Sequence, residues 1–86
     1  MKVKEGYYKH YKGKVYLVIG IAKHSETLEN MVVYKAMYDG TFGFDTLWVR
    51  PESMFSEYLE FEGKWRFRFE PISGAEALEL EALSKV

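Results

Sequence analysis

Residues 15–38 read VYLVIGIAK (15–23), HSETLEN (24–30) and MVVYKAMY (31–38), and this stretch decides the fold. Two runs rich in β-branched and aromatic residues flank a short polar loop, the pattern of two paired antiparallel strands. In the first run Val15, Leu17, Ile19 and Ile21 alternate with Tyr16, Val18, Gly20 and Ala22. Both faces are largely apolar, which places this strand in the middle of a sheet. Gly20 within it marks a bend or a close backbone approach. The second run alternates Val32, Tyr34, Ala36 and Tyr38 with Met31, Val33, Lys35 and Met37.

Upstream, residues 6–11 form a ring-bearing first strand, joined to the hairpin by a Lys12-Gly13-Lys14 turn. Downstream, Asp39-Gly40 opens a loop that carries Phe42 and Phe44, two rings that either fold back on the body or cover a partner surface. Leu47-Trp48-Val49-Arg50 is a fourth strand, ended by Pro51, which also suits the first turn of a helix. A short helical turn over residues 52–56 leads into a hairpin of residues 58–61 and the WRFRF run, turning at Glu62-Gly63-Lys64. Alternation puts Trp65, Phe67 and Phe69 on one face of that run and Arg66, Arg68 and Glu70 on the other. Pro71 closes the sheet. Ser73 and Glu76 have capping-box spacing, so a helix starts near Gly74, with Ala75, Leu78, Ala82 and Val86 as its apolar stripe.

The expected fold is all-β (mainly β): a small SH3-like, partly open barrel of five to six antiparallel strands, with a short helical turn and a C-terminal helix. Residues 1–72 make the barrel domain and residues 73–86 an acidic helix or tail.

At 86 residues the chain holds one small core, and with no cysteine it has neither a disulfide nor a thiolate metal site to stabilise it. The apolar supply is ample: 48% hydrophobic residues, including seven Tyr, six Phe and two Trp, so large rings fill much of the interior. No apolar run approaches the ~20 residues of a membrane span, and no signal-peptide pattern follows the basic N-terminus. The expectation is a soluble, cytoplasmic protein with no membrane partner. A net charge of -1 makes the whole domain no electrostatic magnet for nucleic acid. The charge is uneven, with lysines concentrated before residue 15 and glutamates after residue 51.

The string GYYKHYKGKVYLVIGIAKHSETLENMVVYKAMYDG, followed by LWVRPESMF and WRFRFEPI, resembles a small bacterial family known as domain of unknown function 1653. The similarity covers residues 6–72, and KHSET with VVYKAMY and WVRPESMF are together its specific segments. The resemblance implies an SH3-type barrel and leaves biochemical activity unassigned. The acidic tail lies outside it.

Six residues stand out as a candidate binding patch: His24, Ser25, Glu26, Tyr34, Trp48 and Arg50. A histidine, a hydroxyl and a carboxylate within three positions are capable of acid–base work where they converge, although neighbours on a loop more often bond the backbone and shape the turn. Trp48 and Arg50 lie two apart on a strand and share a face, where a ring beside a guanidinium suits a carboxylate, a phosphate or a stacked base. The alternative fate of Trp48 is the core. No cofactor motif is present, and His10 and His24, the two histidines, make a weak case for a metal. No catalytic residue is assigned. The leading expectation is a binding module for a protein, a peptide or a small anionic ligand. Behind it stand a single-stranded RNA binder using Arg66, Arg68, the N-terminal lysines and exposed tyrosines, a small enzyme using His24 with Glu26, and a structural homodimer.

Overall fold

The computed structural model describes residues 3–38, 43 and 45–84, with side chains described as far as residue 80. The Phe42 and Phe44 expectation falls outside the described residues. Among the described residues seven strands and two helices follow in order: β1 (Gly6–His10), β2 (Val15–Lys23), β3 (Asn30–Ala36), β4 (Leu47–Pro51), α1 (Glu52–Phe55), β5 (Tyr58–Phe61), β6 (Lys64–Phe67), β7 (Phe69–Pro71) and α2 (Gly74–Ser84). Five of the strands form an antiparallel sheet in the order β4-β3-β2-β1-β7, and β5 with β6 forms a separate ribbon. Among the described residues these two sheets make no closed barrel. No helix of the described residues is long and apolar enough to cross a membrane.

The central hairpin forms as its sequence dictates, with β2 in the middle of the sheet. The face assignment along β2 changes at Gly20. Val18 lies opposite Tyr34 and Gly20 opposite Val33, so Ile19 is an extra residue, a β-bulge. The bulge shifts the two-residue alternation by one. Tyr16 and Val18 face inward before it, and Ile21, opposite Val32, takes that side after it. The simple alternation that joined Ile19 and Ile21 to Val15 and Leu17 is therefore corrected.

The inner face of the sheet carries the core: Val18, Val32, Tyr34 and Phe69, joined by Val3 and Phe55. Pro51 ends β4 and starts α1, which turns Phe55 inward, while Met54 beside it stays exposed. Glu52 at the head of α1 accepts hydrogen bonds from the Val3 amide (2.9 Å) and from Asn30 Nδ2 (3.3 Å). One carboxylate thus fastens the N-terminal segment and the start of β3 to the helical turn.

The WRFRF run departs from a single strand. It breaks at Arg68, so Phe69 leaves the ribbon, pairs opposite His10 in the main sheet and is buried. Trp65 and Phe67 stay on the exposed face of the ribbon with Tyr58. At the break the Arg68 amide donates to Glu57 O on the ribbon side and its carbonyl accepts from the Tyr11 amide on the main-sheet side, while its side chain pairs with Glu57 and lies over the Tyr11 ring.

Helix α2 packs on the opposite face of the sheet, against β1 and β2. Ser73 Oγ accepts from the Glu76 amide at 3.0 Å, half of the capping box expected there. The stripe on α2 differs from the one inferred: Ala77 is buried and Leu78 is 69% exposed. The helix passes close over β1, with Gly74 beside the Tyr7 ring, so a small residue, not a leucine, fills the contact.

Phe55→Ala is expected to cost about 3–5 kcal/mol, since it empties the centre of the core. Leu78→Ala is expected to stay within about 0.5 kcal/mol, as an exposed substitution does. Urea denaturation of the two variants checks both values.

Candidate functional site

The inner face is a ring cluster centred on Phe69. Phe55 stacks on Phe69 at 4.0 Å between centroids, with their planes 2° apart. Tyr16, Tyr34 and His10 present edges to Phe69 at 5.6, 5.5 and 4.9 Å. The hydroxyls of Tyr16 and Tyr38 share a hydrogen bond of 2.8 Å. Burial first, and then that bond, hold the Tyr16 phenol above its ordinary range, so it stays neutral.

Strand β4 delivers a cation into this cluster. In the β3–β4 register Tyr34 lies opposite Trp48 and Val32 opposite Arg50, which puts Trp48 and Arg50 on the inner face. Arg50 Nε donates to Tyr34 Oη at 3.3 Å, and its guanidinium carbon sits 5.8 Å from the centre of the Phe69 ring. Tyr34 is itself buried, so its ring belongs to the core and only its hydroxyl serves the site. Trp48 is half-buried and packs against the same core. The ion pairs of the described residues join Lys35 to Asp45 and Arg68 to Glu57. The polar partner of Arg50 among the described residues is therefore a phenol and not a carboxylate.

His10 borders the same cluster, and its role was not evident from the sequence. Burial first, and then the charges of Arg68, Arg50 and Lys12, together lower its pKa from 6.5 to about 4. Its Nδ1 accepts from the Lys12 amide at 3.2 Å, so the proton of the neutral ring resides on Nε2. The only hint in the sequence was a histidine alternating with tyrosines on a strand, a weak signal.

Tyr34, Trp48 and Arg50 come together as expected. The loop at residues 24–27 has a different arrangement. His24 Nδ1 accepts from the amides of Glu26 and Thr27 at 3.2 and 3.3 Å, and Thr27 Oγ1 accepts from the Glu29 amide. The His24 amide donates to Glu29 O, and the Leu28 amide donates to His24 O. These bonds close a turn in which Leu28 adopts φ 62°. Backbone donors thus occupy His24 Nδ1, and the ring helps to close its own turn. Ser25 and Glu26 are exposed.

Arg66 and Arg68, expected to serve an RNA binder, are not a continuous exposed surface. The Nε atoms of Arg66 and Arg68 are buried without a hydrogen-bond partner, and Arg68 is tied to Glu57. No group of three or more metal-ligating side chains occurs among the described residues. On the far side of the Phe55–Phe69 stack lies an apolar groove of about 460 Å³, lined by Val3, Tyr8, Phe55, Phe67, Phe69 and Ile72 among others.

Residues 6–71 match the model of the family described as protein of unknown function (DUF1653). The chain belongs to this family. A crystal structure of a DUF1653 protein from Bordetella bronchiseptica is similar, with a TM-score of 0.74 and 31% sequence identity, over 83% of this chain and 88% of that one. Among curated proteins none matches the chain. The matched segment ends at Pro71, so the DUF1653 region contains the whole five-stranded sheet and excludes α2.

The depressed His10 pKa has a definite sign for stability. A neutral folded-state imidazole contributes stability that is complete above pH 6.5 and is lost as pH falls from 6.5 towards 4, where protonation favours the unfolded chain. Urea midpoints measured from pH 7.5 to 4 are expected to fall across that window. The fall is expected to shrink in His10→Phe, and an equal fall in that variant would assign the effect elsewhere.

Proposed function

We propose that this DUF1653 protein is a small binding module whose ligand carries a carboxylate or a phosphate, received at Arg50 on the inner face of the sheet. The observation that supports this is the setting of Arg50. Its guanidinium is oriented by the Tyr34 hydroxyl and the Phe69 ring, and no carboxylate of the described residues neutralises it. A planar fork held in place, with no counter-charge among the described residues, suits bidentate recognition of an anion. The positive field of Arg68, Arg50 and Lys12, which adds to burial in keeping His10 neutral, favours an anionic ligand. Trp48, on the same face and two residues away, supplies a flat apolar wall.

In this reading Tyr34 positions Arg50, and the turn at His24, Ser25 and Glu26 shapes the end of the hairpin. The anion belongs to a free small molecule or to the terminus or side chain of a peptide. Titration with inorganic phosphate and with acetate, followed by NMR, tests the proposal. Arg50→Gln is expected to weaken binding roughly tenfold or more, the scale of a lost charge-assisted hydrogen bond. His24→Ala is expected to leave affinity unchanged. Equal affinity of wild type and Arg50→Gln would refute the assignment.

A further inference from the structure

We infer that β4 is a self-pairing edge: two copies of this chain join their β4 strands antiparallel about Val49 into one continuous sheet. β4 is an outer strand of the five-stranded sheet, and among the described residues no strand pairs with its far side. The Ala36 amide donates to Thr46 O at 3.0 Å. Carried along the β3–β4 register, this makes Trp48 and Arg50 the residues whose main chain bonds β3. The amides and carbonyls of Leu47 and Val49 therefore face the open edge.

Such edges are normally blunted by charge, a bulge or proline. Within β4 the register to β3 runs from Met31–Pro51 to Lys35–Leu47 without a shift; the bulge-like pairing of Asp45 (φ 67°) and Thr46 with Ala36 lies before the strand begins. Its outer-face residues are Leu47 and Val49, 60% and 58% exposed, followed by Pro51. Lys35, opposite Leu47 on that face, is neutralised by Asp45 at 3.3 Å. Both outer strands end in proline, but β7 has three residues against five in β4, so it offers less to pair with.

The sequence of β4 is complementary to itself. Antiparallel pairing centred on Val49 sets Val49 against its own copy and Leu47 against Pro51 of the second copy, apolar on apolar. On the inner face it sets Trp48 against Arg50 of the second copy, and Arg50 against Trp48, two cation–π pairs related by the twofold axis. Neither contact requires the anion site to be correct, so the two proposals fail separately.

Analytical ultracentrifugation of wild type, Val49→Lys and Val49→Glu, with folding checked by circular dichroism, tests this. The Val49 side chain is exposed and its amide faces away from β3, so both variants keep the monomer fold. Wild type is expected to show a concentration-dependent monomer–dimer equilibrium. Each charged variant alone is expected to sediment as a monomer, because like charges then meet at the axis, and an equimolar mixture is expected to recover a dimer. A wild type that stays monomeric at all concentrations overturns the inference. So does a dimer unchanged in both variants, which places the interface elsewhere. A mixture that stays monomeric while wild type dimerises overturns the register about Val49.

Discussion

Phe69 stacks on Phe55, and most of the molecule is arranged so that these two rings meet. Phe55 comes from the helical turn after β4 and Phe69 from the strand that pairs with β1. Their contact closes the open sheet across its inner face and brings together segments separated by the whole β5–β6 ribbon. Tyr8 and Tyr34 pack their edges on Phe55 at 5.3 Å each, and Tyr16, Tyr34 and His10 pack on Phe69. An 86-residue chain without disulfides has little else with which to fix a core. Large rings on few elements give the necessary buried area with few rotatable bonds.

The same packing sets the polar chemistry. Burying a face so rich in phenols, imidazole and arginine leaves their polar atoms at its margin, where each must find a partner or remain charged against apolar surroundings. Tyr16 and Tyr38 bond each other, His10 is kept neutral, and Arg50 rests on Phe69 and Tyr34. Arg50 differs from Arg68 in one respect. Arg68 has a carboxylate partner in Glu57, and Arg50 has none among the described residues. An arginine whose direction is set by the core, and whose charge no carboxylate of the described residues answers, is the basis for assigning an anionic ligand.

The central hairpin, the proline-bounded start of α1 and the Ser73 cap were legible in the sequence because each rests on local chemistry: alternation, a fixed φ and a side-chain acceptor. That Trp48 and Arg50 share a face followed from strand alternation, whereas the pairing of Tyr34 with Trp48 depends on the β3–β4 register, which alternation does not carry. What was not legible depended on distant segments. The bulge at Ile19 moves Ile21 to the other face, and Gly20 announced a bend without saying which neighbour would be extra. The WRFRF run alternates without interruption, yet Arg68 is drawn to Glu57 and Tyr11, and the strand breaks there. His24 looked reactive as a residue type, but backbone amides of its own turn occupy its Nδ1. The burial of Ala77 in place of Leu78 reflects how closely α2 approaches β1, a distance the helix's own sequence does not carry.

The central claim is that the ring core aims Arg50 at an anion. Mapping NMR chemical-shift changes of ¹⁵N,¹³C-labelled protein on addition of inorganic phosphate tests it most directly, with the Arg50 Nε–H and the rings of Tyr34 and Phe69 as reporters. The account predicts saturable changes centred on Arg50, Tyr34 and Trp48, with the turn at residues 24–27 unmoved. Changes confined to that turn, or spread evenly over the surface lysines, would contradict it.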